Sequence, residues 1–166
     1  DQMRYEGSGP NGTTIIVEAL TDNRNRTASN VRSAFQKFGG SMGETGSVSH
    51  AFNHYGFVRY NKDVTSEEDF FNFSIEGGAE DCFIEEDTYE AVSTPETLSN
   101  LYNYLDKKFG EPVSSGFQWK PVTYVAIEGD KLKSLINLLN ELDNDEDVQQ
   151  VFSNFEASDE ELAKFA

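Results

Sequence analysis

Apolar and polar positions near the start of the chain follow first a strand period and then a helix period. Residues 13–20 are rich in β-branched side chains, which predicts a strand. Apolar residues then recur at i, i+3, i+4 and i+7, which predicts one buried helical stripe: Val31, Ala34, Phe35 and Phe38. Asn23 or Asn25 can cap the start of this helix, and Gly39-Gly40 ends it.

The middle of the chain, residues 55–121, alternates between the same two periods. Four strands are predicted, at residues 57–60, 79–84, 89–92 and 116–119. A capping box at Ser66 predicts the start of a helix after the first strand. Pro95 at a first helical position predicts a second helix after the third strand. The resulting order, β-α-β-β-α-β, is that of ferredoxin-like domains.

The segments on either side of this region cannot easily close a core alone. The first adds short strands at residues 5–6 and 47–53, and the last has strands at residues 122–127 and 148–155. The helix of the last segment has the apolar stripe Leu132, Leu135, Ile136, Leu139 and Leu142. We therefore predict an α+β fold of two small α/β sandwich domains. Residues 1–54 pair with 122–157, and the ferredoxin-like domain 55–121 is inserted between them. Residues 158–166 form a C-terminal tail, in which Ser158 and Glu161 could cap a short helix.

Charge is distributed very unevenly over these segments. The protein has 30 acidic and 13 basic residues, and its formal net charge is -17. Residues 63–106 contain thirteen acidic residues and no Lys or Arg, and this segment would repel a nucleic-acid backbone. Between Asn23 and Gly43 there is no acidic residue, but there are four basic ones: Arg24, Arg26, Arg32 and Lys37. This basic segment is a candidate surface for an anionic partner.

The predicted contact residues are these four cations together with Asn23 and Asn25, at the start of the first helix. Arginine suits bidentate phosphate contacts, and a helix N-terminus adds backbone donors. In the other interpretation, the arginines pair with some of the many carboxylates and fix a contact within the fold. The sequence leaves both interpretations open.

Other candidate chemistry has simpler structural explanations. His50 and His54 are four residues apart, but on a predicted strand this separates them by about 13 Å. The acidic run 143–147 lacks the glycine and the glutamate of a calcium loop, which favours a solvated turn. Cys82 has acidic neighbours and is interpreted as a small buried hydrophobe. Four aromatic residues could stack on bases, but the acidic residues around them favour a core: Phe70, Phe71, Phe73 and Trp119. We predict no catalytic residue, no metal site and no cofactor, and no apolar run is long enough to span a membrane.

Several motifs resemble the YebC/PmpR family. They lie at residues 5–12 (Tyr-Glu-Gly-Ser-Gly-Pro-Asn-Gly), 17–27 (Val-Glu-Ala-Leu-Thr-Asp-Asn-Arg-Asn-Arg-Thr), 31–35 and 39–48. The resemblance implies three domains: a basic helical domain that would precede Asp1, and an α+β second domain interrupted by a ferredoxin-like third. Asp1 follows no initiator residue, which also predicts a longer protein. The first turn departs from the family pattern at Ser8 and Asn11, so a tight anion contact in that turn is not expected.

The resemblance also implies a function. Family members are described as cytoplasmic DNA-binding transcriptional regulators, and others, including mitochondrial relatives, as translation factors that help ribosomes at proline runs. We therefore expect a non-enzymatic regulator of gene expression, cytoplasmic, or mitochondrial if eukaryotic. It would bind DNA, or the ribosome and its RNA, mainly through the basic N-terminal domain. The alternative from another class is an acidic module whose 63–106 face docks a basic protein.

Overall fold

The computed structural model describes residues 1–165, so Ala166, the last residue of the predicted tail, lies outside the described residues. The elements in the first half are β1 (Gln2–Ser8), β2 (Thr14–Leu20), α1 (Arg24–Lys37), β3 (Ser41–Met42), β4 (Phe52–Asn61), α2 (Glu67–Glu76) and β5 (Asp81–Ile84). Those in the second half are β6 (Thr88–Ser93), α3 (Leu98–Phe109), β7 (Ser114–Pro121), β8 (Val125–Ala126), α4 (Gly129–Asp143), β9 (Val148–Ser153), β10 (Phe155–Glu156) and α5 (Asp159–Ala163). The mixture of helices with antiparallel sheets is the predicted α+β class.

The chain forms two compact units. Residues 1–53 and the chain from residue 120 onward make the first unit, and residues 54–119 make the second. The C-terminal segment, predicted as a tail, begins with α5, where the Ser158 side chain accepts a hydrogen bond from the Glu161 N–H. Leu162 and Phe165 pack against the core of the first unit. Residues beyond 157 therefore contribute to this unit.

The first unit is built on a four-stranded sheet in the order β3-β1-β2-β9. The strands β1 and β2 pair antiparallel with Tyr5 opposite Val17, and β2 pairs antiparallel with β9. One face of the sheet is packed against α1 and α4, and their shared core includes Tyr5, Val17, Phe35 and Leu135. The strands β8 and β10 of the same unit form a separate, short parallel pair.

The predicted strand 47–53 is wrong for most of its length. Within residues 47–53 the chain instead forms a turn and a short 3-10 turn at Ser49–Ala51, and only Phe52 and Asn53 belong to a strand. The physical reason is the Glu6 carboxylate, which accepts the backbone N–H groups of Gly46, Val48 and Ser49. These donors are consequently not available to a strand ladder.

The apolar face of α4 is wider than the predicted stripe. The fully buried leucines are Leu132, Leu135, Leu138 and Leu142, whereas Ile136 and Leu139 are only partly buried. The predicted stripe did not include Leu138, which is fully buried. In the structure α4 packs against both α1 and β9, and two partners require a broader apolar face. The strand predicted at 122–127 is likewise reduced to β8.

The second unit has the element order β-α-β-β-α-β and the strand order β5-β6-β4-β7. Its core lies between this sheet and the helices α2 and α3, and it includes Val58, Phe70, Leu101 and Leu105. The predicted core position of the aromatic residues holds for Phe70 and Phe73. It is wrong for Phe71, whose side chain is exposed, because Phe71 lies on another side of α2.

Candidate nucleic-acid interface

The start of α1 is held by polar side chains that follow β2. The Asn23 N–H donates to the Thr21 hydroxyl at 2.9 Å, and the Asn23 side-chain oxygen accepts the Arg26 N–H at 3.0 Å. Asn23 is therefore the N-cap, and Asn25 lies exposed in the first turn. The first turn of α1 has no acidic residue, so this helix start is not neutralised by its own sequence.

Arg26 is bound to a carboxylate from the far end of the chain. Its Nε and Nη2 atoms donate to Asp147 at 3.2 Å and 2.9 Å, and Nη2 also lies 3.1 Å from Asp22. Asp147 accepts in addition the Thr27 hydroxyl at 2.8 Å. The hydrogen bonds from Thr27 and Arg26 lower the pKa of the Asp147 carboxyl. The hydrogen bond between Arg26 and Asp147 in turn raises the pKa of Arg26.

The predicted turn is present at residues 144–147, and Asp143, Asn144 and Glu146 are exposed, but Asp147 is not solvated as the prediction implied. Its side chain is only 14% exposed, and it joins the start of α1 to the residue that precedes β9. Arg26 thus follows, in this structure, the second interpretation of the sequence, in which an arginine fixes a contact inside the fold.

Two more of the predicted cations have partners within the first unit. Arg24 Nε lies 3.1 Å from the Asp1 carboxylate, and both side chains are mostly exposed. Lys37 Nζ lies 3.0 Å from Glu141 on α4, and it also sits over the Phe38 ring. Exposed pairs of this kind contribute little stability, and a competing phosphate could exchange with them.

Arg32 differs from the other three cations. It is exposed and forms no ion pair with any of residues 1–165. At 100° per residue it lies on one side of α1 with three neutral polar residues, all of them exposed: Asn25, Ser29 and Gln36. We call these four residues the α1 polar stripe. It contains no acidic residue, and its four side chains can all donate hydrogen bonds.

The opposite flank of α1 is acidic. A shallow groove of about 390 Å³ runs between α1 and α4, and its lining includes Asn30, Glu141 and Asp145. A phosphate backbone would be repelled from this groove. The two flanks of α1 therefore differ in their surroundings, and Arg32 on the α1 polar stripe is the predicted cation that has no ion-pair partner among the described residues.

Glu6 is the residue that sequence reasoning missed as an organiser of this unit. Its side chain is fully buried, and its carboxylate accepts the N–H groups of Gly46, Val48 and Ser49 and the Nε of Arg4. Burial alone would raise the pKa of the Glu6 carboxyl, but these hydrogen bonds outweigh it, and the pKa is lowered. The sequence signal that could have identified Glu6 was an acidic residue within a strand that contributes to the core.

The remaining candidates acquire structural roles. His50 lies in a 3-10 turn rather than on a strand, and His54 stacks on Trp119 with ring centroids 4.2 Å apart. Cys82 is partly buried against the core of the second unit, and burial raises the pKa of its thiol. Among residues 1–165, no three His, Cys, Asp or Glu side chains are gathered as a metal site. No helix in the described part of the chain has the length and apolar character needed to cross a membrane.

Fold and surface together define a small α+β protein with two units and an exposed polar stripe on α1. A family model described as the TACO1/YebC second and third domain matches residues 1–155, so the chain belongs to this family. The family is one of regulatory proteins of the transcriptional-regulator type. The resemblance noted in the motifs is thereby confirmed.

The fold has a close counterpart among solved structures. The crystal structure of a conserved hypothetical protein, Aq1575 from Aquifex aeolicus, aligns with a TM-score of 0.85 and 38% sequence identity. The alignment covers 96% of this chain and 66% of the Aquifex chain, so the present chain spans slightly less than two thirds of that protein.

Proposed function

We propose that this chain acts as a binding component of a gene-expression regulator, with the α1 polar stripe contacting a nucleic-acid backbone. The observation that carries the proposal is the exposed, unpaired Arg32 in an acid-free stripe of a protein whose net charge is -17. Family membership supports a regulatory role. The contacts would position the protein on phosphates without reading bases.

The α1 polar stripe by itself is a weak site. It offers one unpaired cation, and a single phosphate contact changes the slope of log K against log salt by only about 0.9. We therefore propose that a basic N-terminal domain of the full-length protein makes the main contacts and that α1 adds to them. The role is one of binding rather than catalysis, and its proposed setting is the cytoplasm, or the mitochondrion in a eukaryote.

Replacing Arg32 tests the stripe directly. In the full-length protein, Arg32→Ala is expected to weaken binding to duplex DNA or ribosomal RNA about five-fold, equivalent to roughly 1 kcal/mol. It should also reduce the salt slope by about one, because one phosphate contact is lost. Fluorescence anisotropy across a salt series measures both quantities.

Arg26→Ala is the matched control on the same helix. Because Arg26 is held by Asp147, its removal is expected to lower the midpoint of thermal unfolding and to leave the salt slope unchanged. The proposal for the α1 polar stripe would be contradicted if Arg26→Ala lowered the salt slope while Arg32→Ala left it unchanged. That result would place the phosphate contact at Arg26 rather than on the stripe.

The chain and the full-length protein should differ strongly in affinity. With its net charge of -17, the chain alone is expected to bind DNA and RNA poorly. A salt-titrated comparison of the two proteins measures the difference. Tight, sequence-specific DNA binding by the chain alone would contradict the assignment of the main contacts to a separate basic domain.

Transcription and translation are two routes by which such a protein could regulate expression. We favour DNA-bound regulation of transcription, as the family designation suggests, with ribosome association to relieve stalling at proline runs as the alternative. Sucrose-gradient sedimentation and DNA footprinting separate the two. Co-migration with ribosomes without any promoter footprint would favour the alternative.

A further inference from the structure

An apolar surface of the second unit remains uncovered on one flank of α2. Phe71 and Ile75 are one turn apart, and their side chains are 49% and 43% exposed. Their neighbours Phe70 and Ser74 are fully buried, so α2 is otherwise well packed. Two large apolar side chains together on a surface helix indicate an interaction site more strongly than scattered ones do.

This flank points away from the neighbouring helix α3. On the other side of α2, the Phe73 ring meets Phe109 edge-on at 5.7 Å, and Glu76 accepts a hydrogen bond from the Tyr104 hydroxyl. Phe71 is two residues before Phe73, which places it about 200° around the helix axis from the α3 contact. The flank formed by Phe71 and Ile75 therefore faces the side of the second unit that α3 leaves open.

The open side ends at an edge strand. The strand β5 pairs with β6 along one edge, and within residues 1–165 no strand pairs with its other edge. Ile84 on β5 is 43% exposed, and by alternation it lies on the same sheet face as Cys82, which packs into the core beneath the helices. The helix α2 packs over both β5 and β6, whereas α3 packs over β6, so α2 is the helix nearer to the β5 edge. The three exposed side chains Phe71, Ile75 and Ile84 therefore lie on the same edge of the unit.

Unpaired acidic residues frame these three side chains. Glu67 and Glu68 precede Phe71 by one helical turn, and the turn after Ile84 is Glu85-Glu86-Asp87. All five are exposed and form no ion pair with the described residues, unlike the paired carboxylates of the first unit. We name the three apolar residues and these five acidic residues the α2–β5 surface.

We propose that the α2–β5 surface docks a basic segment of a partner protein, one that carries bulky apolar side chains between Lys or Arg residues. The apolar centre would accept the bulky side chains, and the acidic frame would pair with the cations and steer the encounter. Nucleic acid is unsuited to this surface, since the surrounding segment 63–106 has thirteen acidic residues and no basic one. A second copy of this acidic chain would bring like charges together.

The test uses a fluorescein-labelled synthetic peptide in which Trp and Leu alternate with Lys and Arg, titrated with the whole chain. The double variant Phe71→Ser with Ile75→Ser is expected to weaken binding at least ten-fold. Phe117→Ser is the matched control, because Phe117 is also 49% exposed but lies on β7, and it should leave the affinity unchanged. Replacing Glu67 and Glu68 by Gln should weaken binding and flatten its salt dependence.

Three results would overturn the proposal. Equal affinity of the wild type and the double variant would show that Phe71 and Ile75 take no part. Equal binding of a peptide with Ser in place of Trp and Leu would show charge attraction without docking. Sedimentation equilibrium revealing a dimer that the double variant abolishes would assign the surface to a second copy of the chain. Circular dichroism of each variant confirms that the fold is retained, which is expected because the replaced side chains are exposed.

Discussion

Replacing Glu6 by glutamine is expected to lower the free energy of unfolding by about 3 kcal/mol at pH 7. The change preserves volume but removes the charge. One carboxylate oxygen of Glu6 accepts Arg4 Nε and the Gly46 N–H, and the other accepts the N–H groups of Val48 and Ser49. In glutamine one of these oxygens becomes an NH₂ group, which would face two donors without an acceptor.

Urea denaturation monitored by circular dichroism measures the loss. Glu44→Gln is the control, because Glu44 lies in the same segment but is exposed, and its replacement should change the free energy of unfolding by less than about 0.5 kcal/mol. A loss for Glu6→Gln no larger than that of the control would contradict the role assigned to the buried carboxylate.

The same pair of proteins should show a defined pH dependence. The folded pKa of Glu6 lies below its ordinary value of 4.5, so the charged form contributes stability that is fully present above pH 4.5. This contribution is lost as the pH falls through the lowered folded pKa. The stability difference between wild type and Glu6→Gln should therefore be constant from pH 7 to about 5 and shrink below pH 4.5.

Replacing Gly40 by alanine is expected to destabilise the first unit by more than about 3 kcal/mol. A Cβ atom at Gly40 would lie 2.2 Å from the backbone oxygen of Ser8 and 3.3 Å from the Phe35 ring. The two nearest atoms, the Ser8 oxygen and the Gly9 Cα, belong to the backbone, so the closest contact cannot be relieved by moving the end of a flexible side chain. The clash would separate the chain after α1 from β1, where β3 pairs.

Gly39→Ala provides a matched control one residue away. Gly39 has a φ of +83°, but a Cβ there would meet nothing within 4 Å. Its replacement should therefore cost only the conformational strain, about 1–2 kcal/mol. Thermal and urea unfolding of the two variants should rank Gly40→Ala as clearly the less stable. If Gly39→Ala were the less stable variant, backbone conformation rather than the space available for a Cβ atom would determine which residues this turn accepts.

The four predicted cations show how far charge patterns in sequence can lead. The pattern located a basic helix in an acidic protein, but it could not show which of the four cations form ion pairs within the fold. Arg26 and Lys37 point toward the α4 side and meet Asp147 and Glu141, whereas Arg32 points away. Three of the four are paired within the chain, which is why the proposed contact depends on Arg32 and on a further basic domain.

Local signals predicted local structure well. The helical stripe of α1, its cap (predicted at Asn23 or Asn25 and found at Asn23) and its end before Gly39-Gly40 depend on side chains within a few residues of one another. The β-α-β-β-α-β order of the second unit also followed from successive periods along the chain. The strand predicted at 47–53 is wrong because a residue more than forty positions earlier, Glu6, binds the backbone there.

What the sequence alone determined is thus the α+β class, the order of most elements, the family and the uneven charge. These follow from spacing, residue type and short motifs, all of which act between neighbours in the chain. The tertiary structure decided which charges are neutralised and which apolar side chains stay uncovered. The Arg26–Asp147 pair, the loop bound to Glu6 and the open flank of Phe71 join or separate distant residues, and such pairings exist only once the chain is packed.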